Sequence, residues 1–305
     1  MNSAYEQSSA ASQNQSETVS HPQFDKDWFI IGWFIFVHAA ALIGPWFATS
    51  PGAIVTAVVL YYVTGCLGIT LGYHRLLAHR SFKAPVWVER VLATCGVLAL
   101  QRSPLEWVGH HRMHHAYSDT PKDPHDATRG FWWSHIGWMC HDQPDISDHA
   151  KLRKFARDIV ADPYLNWLSS HTVQVMMQVA LGIALIVLGG WDYMIWGIWV
   201  RLAVVYHTTW FVNSATHQWG YQNYKCDDLS SNLWWVGILA FGEGWHNNHH
   251  AQPDVAPAQR KWWEFDLTWQ IIKGMRLVGL AHSVKMPPAR VVFEAPKAPG
   301  IAKAE

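Results

Sequence analysis

The residues of this chain best equipped for chemistry are histidines at repeated spacings. His111, His114 and His115 form an HxxHH cluster within GHHRMHHAYS, and the same spacing returns at His246, His249 and His250 in HNNHH. On a helix, residues three and four apart lie roughly 60° and 40° from one another, so each cluster can aim several imidazoles one way. His74 and His79 (HRLLAH) follow a long apolar run, and Asn213 with His217 (NSATH) closes another. Asn213 and His217, four apart, can share a helix face. His74 and His79 stand about 140° apart on an ideal helix, so they converge only if the helix ends between them or lies beside the site at its tip.

Nine imidazoles exceed what one first-row metal accepts, and their number points to two ions. Neutral imidazole suits Fe, Zn, Cu or Ni, whereas magnesium and calcium call for oxygen ligands. Hydrolytic zinc needs only three protein ligands and an open position. A nitrogen-rich cage facing a membrane instead suggests a redox pair that activates oxygen while remaining tightly held. His110 stands outside the repeated pattern and reads as a supporting or surface residue.

The rest of the chain reads as apparatus for positioning these groups. Charged residues are only 15% of 305, there are 20 Trp, and no Asp, Glu, Lys or Arg occurs between Trp28 and His74. That absence over two helix lengths is a strong membrane signal, since about 20 apolar residues cross the hydrocarbon. Spans are expected at 28–48, 53–73, 171–188 and 193–213, the last interrupted by Arg201 as a pairing, functional or snorkelling residue. Residues 86–100 are apolar but carry Glu89 and Arg90, which favours an interfacial or half-inserted helix. The fold expected is an all-α integral membrane protein: four transmembrane helices in two hairpins, with a helical cap at 74–170 and 214–286 holding a dimetal site. Together these make one domain over 28–286, with loose tails at 1–27 and 287–305 and a peripheral helix near 265–280. Lys and Arg fall outside the two short reversals, so the positive-inside rule puts both termini, the cap and all four histidine motifs on the cytoplasmic side. Zero formal net charge argues against a nucleic-acid surface. Four dispersed cysteines without a CxxC are expected to be free thiols.

HRLLAH, HRMHH, NSATH and HNNHH, with GITLGYHR, DPHDATRGFWWSHIGW and GEGWHNNHH, resemble the integral-membrane fatty acyl desaturases, most closely the acyl-CoA Δ9 (stearoyl-CoA) group. The resemblance covers roughly residues 29–284. It implies a four-span bundle with a cytosolic cap and a di-iron centre. It also implies insertion of a cis double bond with O2 and two electrons from outside. Carried over by motif, one iron would take His74, His79, His111, His115 and His249. The other would take His114, His217, His246 and His250, with Asn213 approaching through a water. Asp119, Asp123, Asp126 and Glu243 are candidates to accept the second N–H of these rings.

The substrate expected is a long-chain acyl-CoA or, as the alternative, an acyl-lipid. Trp107 and Trp210, and with them Trp132, Trp133, Trp138, Trp219 and Trp245, are candidate tunnel walls. Arg75, Arg80, Lys83, Arg102 and Arg129 are candidate contacts for a CoA head group, or anchors for anionic lipid. No nucleotide-binding, iron–sulfur or haem motif is visible, so the electrons are expected from a separate ferredoxin or cytochrome b5 with its reductase. Two other readings compete: hydroxylation by a similar di-iron centre, and a membrane metal transporter or sensor.

Overall fold

A computed structural model describes residues 21–288; residues 1–20 and 289–305, most of the two expected tails, lie outside the described residues. Among the described residues regular structure is helical, with strand pairing confined to isolated bridges. Three helices are long and apolar enough to cross a membrane: Trp28–Trp46, Pro51–Ala78 and His171–Gly189. The main elements, labelled in chain order, begin with α1 (Trp28–Ile43) and α2 (Pro51–Tyr61, continuing as a π-helix over Tyr62–Ala78). Next come α3 (Val86–Leu98), α4 (Pro104–Tyr117), α5 (His171–Gly189) and α6 (Trp191–Met194, Ile195–Val200 and Arg201–Ser214 in one run). α7 (Trp234–Leu239), α8 (His246–Ala251) and α9 (Leu267–Leu277) complete the set, α9 matching the expected peripheral helix.

Local chemistry sets the ends of these helices. The Asp27 carboxylate accepts from Ile30 N at 3.0 Å to open α1, and Ser50 caps α2 with Pro51 at its first position. Ser103 and Glu106 close a reciprocal capping box on α4, a Ser-x-x-Glu signature readable in the sequence. Gly190, at φ +86°, turns the chain sharply out of α5. Gly68 and Gly96 allow the π-helix and α3 to touch, because a Cβ on Gly68 would sit 2.5 Å from the Cys95 carbonyl carbon.

α6 is the hub of the bundle: α1 and α2 both pack chiefly against it, and α5 folds back on its first turns. It covers residues 193–213, where a fourth span is expected, but Arg201 and His207 make it less apolar than the three helices above. Arg201 is 1% exposed, so it does not snorkel. Its Nη1 donates to Leu98 O at 2.6 Å and its Nε to Gly197 O at 2.9 Å. Gln178 Nε2 donates to the same Leu98 carbonyl at 2.9 Å. α3 therefore stops inside the bundle with its last carbonyls satisfied, as a backbone terminus away from water requires. At 13 residues, about 20 Å, it is too short to span.

The expected loose N-terminal tail ends earlier than residue 27. Asp27 N donates to Cys140 O at 2.9 Å, Asp142 N donates to Asp25 O at 2.8 Å, and Phe24 stacks on Trp133. These bonds lace residues 24–27 to the loop before residue 143, a pairing between distant segments that composition does not reveal.

Candidate metal centre

Four segments present the nine imidazoles, and each solves its aiming problem differently. In the π-helix, His79 N donates to His74 O at 3.1 Å, so one wide turn separates residues five apart. The 140° offset of an α-helix disappears, and the two rings approach to 4.8 Å between centroids. α4 carries His111, His114 and His115 on one side, while Arg112 reaches back to donate to Leu77 O (2.8 Å) and Ala78 O (3.0 Å). It thereby pins the end of the π-helix next to His79. α8 is six residues long, too short to persist alone. The two asparagines inside HNNHH hold it: Asn247 Oδ1 accepts from Asn223 N and Tyr224 N at 2.8 Å, and Asn248 Nδ2 donates to Glu264 Oε2 at 2.9 Å.

The rings converge as two clusters, His74, His79, His111, His115 and His249 in one and His114, His217, His246 and His250 in the other. Within each, one nitrogen per ring lies within 4.8 Å of all the others. This is the division that the motif resemblance implied. In the first cluster Nε2–Nε2 separations are 2.7 Å (His79–His111), 3.0 Å (His115–His249), 3.1 Å (His74–His249) and 3.2 Å (His111–His115). Nitrogens held about 2.1 Å from one ion at right angles stand about 3.0 Å apart. Each ring nitrogen offers either one N–H or one lone pair, so mutual hydrogen bonds can pair at most four of the five rings. In the second cluster His217 Nε2 and both nitrogens of His246 are buried without a hydrogen-bond partner among the described residues. A buried, unpaired nitrogen is costly, and a cation between the rings removes that cost. The donor sets fit two transition-metal ions.

Carboxylates on the far side of the rings orient them. His74 Nδ1 lies 2.8 Å from Glu243, His114 Nδ1 2.8 Å from Asp123, His217 Nδ1 3.1 Å from Asp119 and His250 Nδ1 2.8 Å from Asp228. An Nδ1–H donated outward leaves the Nε2 lone pair facing the cluster. Of the four carboxylates considered from sequence, Asp119 and Asp123 serve in this way, and Glu243 stands 2.8 Å from His74 Nδ1 as an ion-pair partner. Asp126 instead accepts from Thr128, and Asp228 was missed because no motif marks it. Burial, reinforced by neighbouring imidazoles, holds His79, His111, His114, His115, His246 and His249 far below the ordinary histidine range, which keeps them neutral. Burial alone would raise Asp228, but the hydrogen bond from His250 carries it below the usual carboxylate range.

A cavity of about 470 Å³ runs up to the clusters, lined by Trp107, His111, Trp138, Tyr206, Trp210 and Asn213 among others. A smaller one, about 50 Å³, lies between the clusters against His74, His111, His114, Asn213 and His246. Trp107 lines both and stacks on His111 at 5.0 Å, and Trp210 and Trp138 line the larger. The other tryptophan candidates lie elsewhere: Trp132 and Trp219 are exposed, Trp133 lies under Arg129, and Trp245 packs on Trp263. His110 also lines the cavity; it reaches Ile146 O at 3.0 Å, and burial pushes it down to about 3.

The expected cationic rim needs correction. Arg75 is 1% exposed and ion-paired with Glu243 (3.0 Å) and Asp266 (3.3 Å), so it cannot meet a head group. Arg80 is held by Asp158 at 2.8 Å and Glu89 at 3.3 Å. Lys83 pairs through its backbone with His282 and is not part of the cavity wall. Of the five proposed cations only Arg102 reaches the cavity.

Comparison with known proteins agrees with this geometry. The fatty acid desaturase family model matches residues 49–280. An sn-1 stearoyl-lipid 9-desaturase of Anabaena variabilis is 47% identical over 274 residues, covering 88% of this chain and 97% of the relative. Its counterpart in Synechocystis is 49% identical, covering 88% and 83%. An sn-2 palmitoyl-lipid 9-desaturase of Nostoc is 44% identical, covering 86% and 91%. With its two imidazole clusters set against an aromatic-walled cavity, the chain belongs to the fatty acid desaturase family and is an oxidoreductase that desaturates fatty acyl chains.

Proposed function

We propose that this protein places a cis double bond at the ninth carbon of an acyl chain still esterified in a membrane lipid. The observation that carries the chemistry is the pair of imidazole clusters at the end of the cavity. The preference for a lipid rests on the relatives named above, which act on stearoyl- or palmitoyl-lipids. The acyl-CoA reading expected from the sequence has less support, since four of its five cations are engaged or placed elsewhere.

In this reading His74, His79, His111, His115 and His249 hold one iron and His114, His217, His246 and His250 the other, with Asn213 beside the second. Two iron ions there would supply the oxidising power to remove hydrogen from an unactivated methylene, drawing on O2 and two electrons from a ferredoxin or cytochrome b5. The chain's own residues do the positioning. Asp119, Asp123 and Asp228 each hold a ring by Nδ1–H, so its Nε2 stays unprotonated and fixed in direction, and Glu243 stands against His74 Nδ1. Trp107, flat on His111, and Trp210 form rigid apolar walls that keep the methylene beside the clusters and exclude water. α6 serves as the fourth span, and the cap with both termini lies on the cytoplasmic side, as the distribution of Lys and Arg indicates.

Expression in a desaturase-deficient host, followed by mass spectrometry of lipids and acyl-CoAs, tests this reading. Monounsaturated chains should arise first in intact lipids. Unsaturation appearing first in the acyl-CoA pool would defeat the lipid assignment, and an alcohol as sole product would defeat desaturation.

A further inference from the structure

Two residues that line the large cavity are also widely exposed: Phe29, 82%, and Val175, 59%. A cavity wall that is at once outer surface marks an opening. Both residues stand on the first turns of apolar helices, α1 and α5. Their neighbours along those helices are exposed hydrophobics as well, Ile35 at 65% and Val179 at 55%. The opening therefore lies in the flank of the bundle, within surface suited to acyl chains rather than water.

The cavity's polar lining has an unusual balance. Among the described residues it includes the carboxylates of Asp27, Glu106 and Asp142 against a single guanidinium, Arg102, which itself lies 3.9 Å from Glu106. Burial would raise Glu106, but Arg102 and the hydrogen bonds from Ser103 keep it below the usual range, hence ionised. Such an edge repels a polyanion such as CoA and tolerates a head group whose phosphate is balanced by its own cation.

Building on the acyl-lipid reading, we propose that the gap between α1 and α5 is a lateral portal. It admits the acyl chain of an intact glycerolipid from the leaflet, and it favours head groups without net negative charge. Phe29 and Val175 are its jambs. The head group stays at the level of Asp27 and Asp142 while the chain threads toward Trp107.

The full-length protein in nanodiscs, doped with phosphatidylcholine carrying a diazirine in mid-chain, provides the test, read as labelled peptides without any turnover. Photolysis should label the peptides holding Trp33 and Trp210. Widening both jambs (Phe29→Trp with Val175→Trp) should cut that labelling about five-fold or more, which corresponds to about 1 kcal/mol or more. Val187→Trp, on the same lipid-facing helix but remote from the gap, should leave it unchanged. A phosphatidylglycerol probe should label less than phosphatidylcholine, and Asp142→Lys should narrow that difference. Undiminished labelling in the double variant would place the entrance elsewhere while sparing the acyl-lipid reading. Labelling by diazirine-bearing palmitoyl-CoA alone would defeat that reading itself. Equal labelling by the two phospholipids would remove the charge preference.

Discussion

In the four-imidazole cluster three rings, His114, His217 and His250, have a carboxylate at Nδ1; in the five-imidazole cluster only His74 does among the described residues. The larger cluster relies on packing and backbone instead: the π-turn from His74 to His79, the Trp107 plane on His111, and Arg112 clamping the helix end. A carboxylate raises the basicity of its ring as well as fixing it. The cluster with fewer nitrogens thus has the stronger donors, and the cluster with more nitrogens is placed mainly by the elements that carry it. The two halves of the centre should therefore fail in different ways.

Removing a ring should have the largest effect. His249→Ala in one cluster and His114→Ala in the other should each abolish turnover, and iron per chain, measured by mass spectrometry, should fall from about two toward one. Near wild-type activity in either variant would remove that ring from the proposed set. Carboxylate substitutions separate the clusters. Asp228→Asn should weaken iron binding about 10–100-fold with little change in melting temperature. Glu243→Gln should also destabilise the fold, by about 3–5 kcal/mol, because the buried Arg75 keeps only Asp266 as a charged partner. Equal melting temperatures for the two variants would break the contrast.

A smaller effect is expected from Arg201→Met, which removes one of the two donors to Leu98 O while Gln178 keeps the other; it should cost about 0.5–1.5 kcal/mol in denaturation and leave iron content at wild-type level. The smallest belongs to the frame of the larger cluster. Burial would raise Asp158, but Arg112 and Arg80 hold it below the usual carboxylate range. Its contribution to stability is therefore complete above the unfolded value of about 3.9 and is lost as pH falls toward the folded one. An acid melting series should show that loss in the parent and a flatter profile in Asp158→Asn.

The histidine motifs were legible because metal-competent imidazoles are rare in such density and their helix spacing is readable. The apolar runs of α1, α2 and α5 were legible because crossing hydrocarbon demands length and few charges. Arg201 was visible as an anomaly but not as the cap of α3, since its partner Leu98 lies 103 residues away. Arg75 looked like a surface cation and is a buried one, because its carboxylates come from residues 243 and 266. The five-residue gap in HRLLAH argued against a shared face until the backbone widened to a π-turn, which composition does not signal.

Sequence by itself determined the candidate ligand type, the number of imidazoles and the apolar lengths, since these follow from side-chain chemistry and local periodicity. Only the tertiary structure decided which rings stand together, which carboxylate holds each, and where the cavity opens. Those properties belong to atoms brought within a few ångströms by packing: His114 and His250, 3.2 Å apart, are separated by 136 positions of chain.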